Sequence, residues 1–276
     1  KNDPFCSPWF RMYAVLDGQV VSQVGAAYPE IETTRGKMRA GFIEAVAARP
    51  SHARKGYTMA LMKKVHEQMI DDGIELFVLG TSKTLVAYSM YPKLGYSDVL
   101  EFNWGLRKSQ RHPRNDIRLK VRRHKIDGQH KMFKKLAQGN FGFIHRPEDY
   151  PKLKSSWGDF YTKAITFLRN DRSIGYAYAR EIGNFLNIRE LVVNDQKDFT
   201  PCLQALENHY KKYWVTRSVS GSSSIIDQYR ANGFKDMDEW GTFMVMDSKG
   251  NMSQKELREL LGLDKDRFQM FGLDTY

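Results

Sequence analysis

The chain has 276 residues, of which 41% are hydrophobic and 27% charged; this composition excludes collagen-like, low-complexity and disordered proteins, and the length suits two domains. The formal net charge of +11 is concentrated in residues 104–135, where twelve Lys and Arg stand against two Asp, so the rest is nearly neutral and a protein-wide nucleic-acid surface is excluded. No apolar run is long enough for a membrane span, and the first residues hold no secretory signal. The two cysteines, Cys6 and Cys202, are too few for a disulfide scaffold. We therefore expect a cytoplasmic protein.

The first half of the sequence predicts strands around one amphipathic helix. The dipeptide Asp17-Gly18 between two apolar runs is a strong hairpin signal. Apolar residues recur at helical spacing from Met59 onward until Gly73 ends the pattern, and His66 is expected on the outer side of this helix. The predicted elements are strands at 10–16, 20–28, 40–47 and 74–79, helices at 59–70 and 84–90, and a hairpin-like stretch at 96–106.

The second half repeats this outline after a polar, basic linker at 107–114. In the strand that follows the linker, Ile117, Leu119 and Val121 alternate with basic residues, which is typical of a half-buried strand. The predicted elements are strands at 117–121, 165–169, 174–179, 186–193 and 243–246, and helices at 201–213, 225–229 and in the tail after 253.

Two local similarities indicate that the halves are copies of one unit. The sequence YPKLGY at 91–96 matches YRANGF at 229–234, and Glu44, near the middle of its strand, has a counterpart in Glu190. Similarity at two registers in the same order favours duplication over coincidence. We therefore predict a first domain at 1–112, a second at 113–250 and a helical tail at 251–276.

The junction between the third strand and the helix is the most informative segment. Arg54, Lys55 and Gly56 would bring two cations, free backbone N–H groups and the positive end of the helix dipole together, which suits a phosphate or diphosphate. Gly56 would let the backbone approach the phosphates without a Cβ in the way. On this segment alone, an ordinary strand-to-helix turn with a solvated basic pair stays equally open.

Together with the segment that follows, this junction resembles the GCN5-related N-acetyltransferase (GNAT) family. That family has an apolar strand, a proline and a Gln/Arg-x-x-Gly-x-Gly/Ala loop, and later a short helix ending in Tyr-x-x-x-Gly-Phe/Tyr. This chain reads VAARPSHARKGYT at 46–58 and AYSMYPKLGY at 87–96, and the resemblance covers residues 10–106. It implies an α+β fold of two GNAT-like domains, each a mixed, mostly antiparallel sheet flanked by helices, and transfer of acetyl from acetyl-coenzyme A to an amine.

The chain departs from the family pattern at three positions. Ala53 stands where the family has Gln or Arg, Thr58 where it has Gly or Ala, and Thr84 where many members have Asn. The loss of a polar side chain at Ala53 should weaken phosphate contact, which Arg54 and Lys55 could offset. The family's first strand and two leading helices are missing before residue 1, so we expect a first domain without them.

The resemblance also implies roles for individual residues. Tyr91 aligns with the tyrosine that protonates the departing thiolate; a core aromatic is the alternative, and Tyr88 lies close by. Glu44 lies where many members carry the carboxylate that removes the amine proton, directly or through water; a surface or salt-bridged glutamate is the alternative. The residues expected to contact the coenzyme are Val46 and Ala48 at the pantetheine arm, with Ala53, Arg54, Lys55, Gly56, Tyr57, Thr58, Thr84 and Ala87.

The second half shares the outline of the first but not this chemistry. After its strand the chain reads NDQKDFTP at 194–201, with two acids, no glycine and a proline that removes a donor at the helix start. We therefore expect an acetyltransferase fold without coenzyme binding. Such a pairing resembles the tandem acetyltransferases of the enhanced-intracellular-survival type, and that resemblance would allow the carboxylate of Tyr276 to reach the cleft as a base.

Two hypotheses from different classes follow. The first is an acetyl-coenzyme A-dependent N-acetyltransferase that acts on a small-molecule or protein amine, with no metal, no membrane and no nucleic-acid partner; assembly with further copies of the chain stays open. The second is a non-catalytic binding module whose basic segment, residues 107–135, contacts nucleic acid or an acidic partner, although a solvated face between domains is favoured for that segment. The histidines show no metal-ligand spacing, and Cys202 is expected to pack in an apolar helical stretch.

Overall fold

The computed structural model of the chain describes residues 9–122, 128–150, 162–237, 241–271 and 274. The helices are α1 (Tyr57–Asp71), α2 (Gln129–Ala137), α3 (Phe199–Tyr210), α4 (Ser223–Ala231) and α5 (Gln254–Leu260), and short 3-10 helices lie at Pro50–His52, Val86–Met90, Pro92–Leu94, Gln196–Asp198 and Leu263–Lys265. The strands are β1 (Trp9–Leu16), β2 (Gln19–Ala27), β3 (Glu30–Thr33), β4 (Gly36–Ala48), β5 (Leu76–Thr81), β6 (Ser97–Phe102), β7 (Gly105–Lys108), β8 (Arg118–Arg122), β9 (Phe141–Gly142), β10 (Lys163–Arg169), β11 (Arg172–Ile182), β12 (Phe185–Val193), β13 (Trp214–Arg217), β14 (Val219–Gly221), β15 (Lys235–Asp236), β16 (Gly241–Asp247) and β17 (Phe268–Phe271).

The chain forms two compact units. Of the described residues, unit 1 comprises those in 9–101 and 241–264, and unit 2 comprises those in 102–237 and 265–274. Both units mix strands with helices, which confirms the predicted α+β class. Among the described residues, no helix is both long and apolar enough to cross a membrane.

Unit 1 is built on one mixed sheet. Its strands lie in the order β1, β2, β4, β5, β16, β6, and β3 also pairs with β4. β4 and β5 are parallel, whereas β1–β2, β2–β4, β3–β4 and β5–β16 are antiparallel. The predicted hairpin joins β1 to β2, where Asp17 and Gly18 have φ of 49° and 73°, as a type I′ turn requires.

The helix α1 connects β4 to β5 and packs on one face of this sheet. Its apolar stripe of Leu61, Met62, Val65 and Met69 is buried, as the spacing predicts. A Cβ at Gly41 of β4 would lie 2.5 Å from the sulfur of Met69. The close approach of helix and sheet therefore depends on this glycine.

His66 also belongs to the buried side of α1, so the expectation that it faces outward is wrong. Its residue surface is only 8% exposed, its Nε2 lies 2.9 Å from the hydroxyl of Tyr96, and its ring packs against Phe77. The single hydroxyl partner lets a histidine fit into an apolar core. Burial lowers the pKa of His66 from 6.5 to about 4.

A strand from the far end of the sequence completes unit 1. β16 pairs with β5 from Thr242 to Asp247. It is followed by α5, whose N-terminus carries a capping box of Ser253 and Glu256 and whose Arg258 hydrogen-bonds the carbonyl of Val99. The units thus divide the chain differently from the boundaries expected at 112 and 250, because residues 241–264 pack with unit 1.

Unit 2 has a larger and a smaller group of strands. The larger sheet has the order β15, β7, β13, β12, β11, β10, β8, and β14, β17 and β9 pair in the smaller group. β12 and β13 are parallel and connected by α3, as β4 and β5 are by α1. β7 pairs with β13 in unit 2, just as β16 pairs with β5 in unit 1. Because β6 and β7 thus belong to different sheets, the hairpin expected at 96–106 does not form.

The two short motifs that indicated duplication have the same local structure. The N–H of Tyr96 donates to the carbonyl of Tyr91, and the N–H of Phe234 donates to the carbonyl of Tyr229. In each copy the intervening glycine has a positive φ, and the two aromatic rings meet edge to face. The same turn is therefore built twice, within the same order of strands and helix.

A buried ion network lies in unit 2. Arg146 donates to the carboxylates of Glu190 and Asp274, and its guanidinium lies 4.1 Å from the ring centre of Phe133. The hydroxyl of Tyr176 donates to the other oxygen of Glu190. Glu190, the counterpart of Glu44, is therefore fully buried and paired.

We expect the free energy of unfolding of unit 1 to fall on acidification. Between pH 6.5 and about 4, the unfolded chain binds a proton at His66 that the folded chain does not. The stabilisation is fully present above pH 6.5 and should drop by about 3 kcal/mol across that interval. Urea denaturation at several pH values measures this, with His66→Gln as the control because glutamine can still bond Tyr96. An identical pH dependence in the two proteins would contradict this assignment.

Candidate functional site

The parallel strands β4 and β5 diverge beyond their shared ladder. Their pairing ends at Phe42 and Val78, whereas β4 continues to Ala48 and β5 to Thr81. The other edge of this part of β4 is paired with β2. Beyond Phe42, no strand within the described ranges lies against the edge of β4 that faces β5. The N–H and C=O groups on that edge of β4 can therefore pair with an amide-bearing ligand that enters as an additional strand.

A bulge in β4 marks the same place. Ala45 has φ of 51°, and the register with β2 shifts between Gln23 and Gly25. Such a bulge bends a strand and increases its twist, which accounts for the divergence from β5. Of the two residues expected at the pantetheine arm, Val46 packs partly buried against the core, and Ala48 is exposed.

The loop after β4 leaves backbone donors free at the start of α1. A 3-10 turn leads to Arg54 at φ 60° and Gly56 at φ 85°. No side chain caps α1 and no acid lies in its first turn, so its first N–H groups point outward unpaired. A Cβ at Gly56 would meet no protein atom within 4 Å. Arg54 and Lys55 are exposed beside it.

The remaining loop residues differ in what they offer. The N–H of Ala53 already donates to the carbonyl of Pro50, so this amide is engaged. The hydroxyl of Thr58 lies 2.9 Å from that of Ser22, which donates to the carbonyl of Ala47. Thr58 therefore ties α1 to the sheet, which explains why a threonine replaces the small residue of the family pattern. Tyr57, half-buried, begins α1.

The equivalent junction in unit 2 has fewer free donors, although no side chain caps α3 itself. The N–H groups of Asp198 and Phe199 are bonded within the 3-10 turn, and Pro201 has no N–H. Asp195 caps its 3-10 turn by accepting the N–H of Lys197 and also pairs with the Lys197 ammonium. Asp198 forms an ion pair with Arg169 at 2.6 Å. The two junctions therefore differ both in available N–H groups and in charge.

Tyr91 places its hydroxyl at the end of β5. It is 4% exposed and belongs to the same buried cluster as Ile43 and Leu79, and its hydroxyl is hydrogen-bonded by the side chain of Thr81. Burial raises the pKa of Tyr91 above the usual 10.0, and the bond with Thr81 partly opposes this. The residue is therefore a neutral phenol at physiological pH, with a proton to donate.

The neighbours of Tyr91 are engaged elsewhere. The hydroxyl of Tyr88, the alternative acid, donates to Asp98 at 2.5 Å. Thr84 is exposed, and its hydroxyl lies 2.8 Å from that of Ser82 within its own loop. Ala87 packs partly buried against the core of unit 1. Of these residues, Ala87 and Tyr88 pack against the core that holds Tyr91, and Thr84 does not.

Glu44 lies on the face of the sheet opposite α1, because Ile43 points toward the helix core and strand residues alternate. It is paired with Gly25 of the neighbouring strand β2. A Cβ on Gly25 would lie 3.3 Å from the Cγ of Glu44. Its Oε1 accepts a hydrogen bond of 2.5 Å from the indole nitrogen of Trp9. Glu44 is thus a half-buried, oriented carboxylate rather than a freely solvated one.

The structure places the predicted residues on both faces of the sheet where β4 and β5 stop pairing. Glu44 and Val46 flank the bulge, with Glu44 on the face opposite α1, and Tyr91 lies at the end of β5 in the core on the α1 side. Thr84 turns to its own loop. The contacts of Trp9 with Glu44 and of Thr81 with Tyr91 were not anticipated. No spacing in the sequence links Trp9 to Glu44, which lies 35 positions away.

Among the described residues, no three or more His, Cys, Asp and Glu side chains lie close enough together to hold a metal ion. Cys202 is fully buried in α3, and burial raises the pKa of its thiol, as expected for a packing residue. Cys6 and Tyr276, also considered from the sequence, lie outside the described residues.

Comparison with known families and curated proteins gives one match. Residues 9–99 match the acetyltransferase (GNAT) domain family. A search of curated proteins by sequence finds no match.

Solved structures share the fold at low sequence identity. The chain is similar to a conserved protein of unknown function from Enterococcus faecalis V583, a probable N-acyltransferase, with 14% identity, a TM-score of 0.67 and coverage of 89% of this chain and 64% of that one. It is also similar to Eis1 from Mycobacterium abscessus, with 13% identity, a TM-score of 0.58 and coverage of 86% of this chain and 64% of Eis1. A third similar structure is a tandem GNAT protein from the clavulanic acid biosynthesis pathway, with 13% identity, a TM-score of 0.56 and coverage of 89% of this chain and 85% of that one. The chain spans less than two thirds of the first two structures, and these identities show the fold alone.

Proposed function

Because residues 9–99 form an acetyltransferase domain of the GNAT family, we propose that the chain transfers the acetyl group of acetyl-coenzyme A to a primary amine. The observation that carries this proposal is the divergence of β4 from β5 next to a loop with free backbone donors. A thioester is already activated, so the protein needs only to position the amine, remove its proton and stabilise the oxyanion.

The two features fit the two ends of the coenzyme. The free edge of β4 around Val46 and Ala48 suits the amides of the pantetheine arm, which would pair with it as a strand does. The N–H groups at the start of α1, with Arg54 and Lys55 beside them, suit the diphosphate. The open space over Gly56 lets the phosphates approach the backbone.

Tyr91 and Glu44 complete the reaction. The amine attacks the thioester carbon, Glu44 or a water that it holds takes the amine proton, and the carbon–sulfur bond breaks as Tyr91 gives its proton to the sulfur. The raised pKa of Tyr91 keeps that proton in place until charge develops on the sulfur. The hydrogen bond from Trp9 fixes the carboxylate of Glu44.

The acceptor is the primary amine of a small molecule or a protein. Unit 2 would bind no coenzyme. Its turn engages the N–H groups of Lys197, Asp198 and Phe199 internally, Asp195 and Asp198 bring negative charge there, and its counterpart of Glu44 is locked in the buried network of Arg146. The basic residues of β8 do not require a nucleic-acid partner. β8 is an edge strand, and exposed cations such as Arg118 and Lys120 protect such an edge from pairing with other chains.

Replacing Gly56 with leucine should abolish coenzyme binding. Acetyl-coenzyme A at about 100 times its Kd should stabilise the wild-type chain by about 2.7 kcal/mol, measured as a rise in melting temperature. Gly233→Leu is the matched control, since that glycine also has a positive φ and open space around it. The control should lose similar stability and keep the ligand-induced shift; loss of the shift in both variants would mean that the loop of unit 1 is not the site.

Replacing Tyr91 with phenylalanine should lower kcat about 100-fold or more while changing the Kd of acetyl-coenzyme A by less than about twofold. The ring still fills its buried position, and only the proton donor is lost. Release of the coenzyme thiol measures the rate. Tyr88→Phe, whose hydroxyl is bonded to Asp98, should keep near-normal turnover, and an unchanged rate in Tyr91→Phe removes that residue from the acid role.

Replacing Glu44 with glutamine should lower the rate most at neutral pH. The glutamine oxygen can still accept the bond from Trp9, but it cannot take a proton. As the pH approaches the pKa of an alkyl amine, about 10, more of the acceptor is already deprotonated, so the wild-type advantage should shrink. A ratio of rates that stays constant from pH 7 to pH 10 would show that Glu44 is not the base.

A further inference from the structure

A cleft of about 1180 Å³ lies in unit 2, away from every residue used in the proposed reaction. It is formed by the segment after β7, the end of α3 with the residues that follow it, and the turn at Asn184. This volume is large enough for a ligand of the size of a nucleotide.

The wall formed by residues 109–114 was predicted to be a linker, yet it is held in place. The side chain of Asn208 accepts from the N–H of His112 and donates to its carbonyl. The N–H of Ser109 donates to the carbonyl of Tyr213. The cleft is therefore a formed surface whose shape depends on specific hydrogen bonds.

The floor of the cleft carries polar atoms without partners. Oε2 of Glu207 accepts from Arg107 and lies 2.5 Å from Nε2 of His112. The side chain of Glu207 is 0% exposed, and among the described residues neither its Oε1 nor the hydroxyl of Tyr210 has a hydrogen-bond partner. Because Arg107 already neutralises Glu207, the free oxygen can accept a hydrogen bond without repelling an anion held elsewhere in the cleft.

The rim of the cleft carries positive charge that the protein does not neutralise. Arg111, Arg114 and Lys211 line it and are exposed, and no carboxylate in the described ranges pairs with them. Lys212 differs, because it forms an ion pair with Glu181. The C-terminus of α3 contributes about half a negative charge here, which three full cations outweigh.

We propose that this cleft binds a small organic anion that carries at least two negative charges and a hydroxyl group. The charges would lie at Arg111, Arg114 and Lys211, where the planar guanidinium groups match the oxygens of a phosphate or carboxylate. The ligand hydroxyl would bond to the free oxygen of Glu207 and to the hydroxyl of Tyr210, since both residues line the cleft and both atoms lack a partner among the described residues. The site lies outside the coenzyme site, so it adds a ligand to the proposed function instead of refining it.

Titration calorimetry on the full chain tests this with ribose 5-phosphate and citrate as probes. The Arg54→Ala/Lys55→Ala background removes the cations of the loop in unit 1, and binding should persist there. In that background, Arg111→Ala and Lys211→Ala should each weaken the bound probe by at least about tenfold, whereas Arg172→Ala, an exposed cation that does not line the cleft, should change it by less than about twofold. Binding of one probe alone identifies the anion as phosphate or carboxylate.

The hydroxyl contact has its own control. Tyr210→Phe should weaken ribose 5-phosphate and leave pyrophosphate, which has no sugar hydroxyl, unchanged. No heat from either probe at millimolar concentration, or an equal loss with Arg172→Ala, would overturn the proposal. Circular dichroism confirms that each variant is folded. Arg111→Lys keeps the charge but loses the planar pair of donors, so it should recover only part of the affinity lost in Arg111→Ala.

Discussion

The arrangement of unit 1 depends on the place where two parallel strands stop pairing. A sheet normally satisfies every backbone N–H and C=O on both edges of an inner strand. In β4 the bulge at Ala45 interrupts this, and one edge is left free beyond Phe42. The loop with Gly56, the start of α1 and the hydroxyl of Tyr91 are all placed relative to that opening. The candidate site thus lies where the sheet opens between β4 and β5.

The local parts of this architecture could be predicted from the sequence, since each depends on neighbouring residues. The Asp17-Gly18 turn, the stripe of α1 and the motif closed by Gly95 were all found in this way. Trp9 beside Glu44 and the pairing of β16 with β5 could not be, because they join distant segments. His66 was misplaced because a single hydroxyl partner, Tyr96, makes its burial acceptable. The sequence does not predict α2, because its three lysines equal its three buried residues in number and one of the buried residues, Gln129, is polar.

The two units show how one scaffold can carry different chemistry at the same topological position. Both contain a parallel strand pair bridged by a helix, and both close the later motif with the same turn. They differ in the few residues that follow the strand. Free N–H groups and Gly56 occur in one, whereas in the other Asp195 and the 3-10 turn engage the N–H groups that lead into α3. A carboxylate in the middle of the strand is oriented by an indole in unit 1 and neutralised by Arg146 in unit 2.

β16, from the far end of the sequence, completes the sheet of unit 1, whereas β7 joins the sheet of unit 2. This arrangement constrains the order in which the sheets can form. β5 ends at Thr81, but the strand that covers its edge begins at Gly241. At translation speeds of about 5–20 residues per second, the ribosome needs roughly ten seconds or more to synthesise the intervening chain. During that time the edge of β5 stays open to unwanted partners. The sheet of the amino-terminal half therefore stays one strand short until residues 241–247 leave the ribosome.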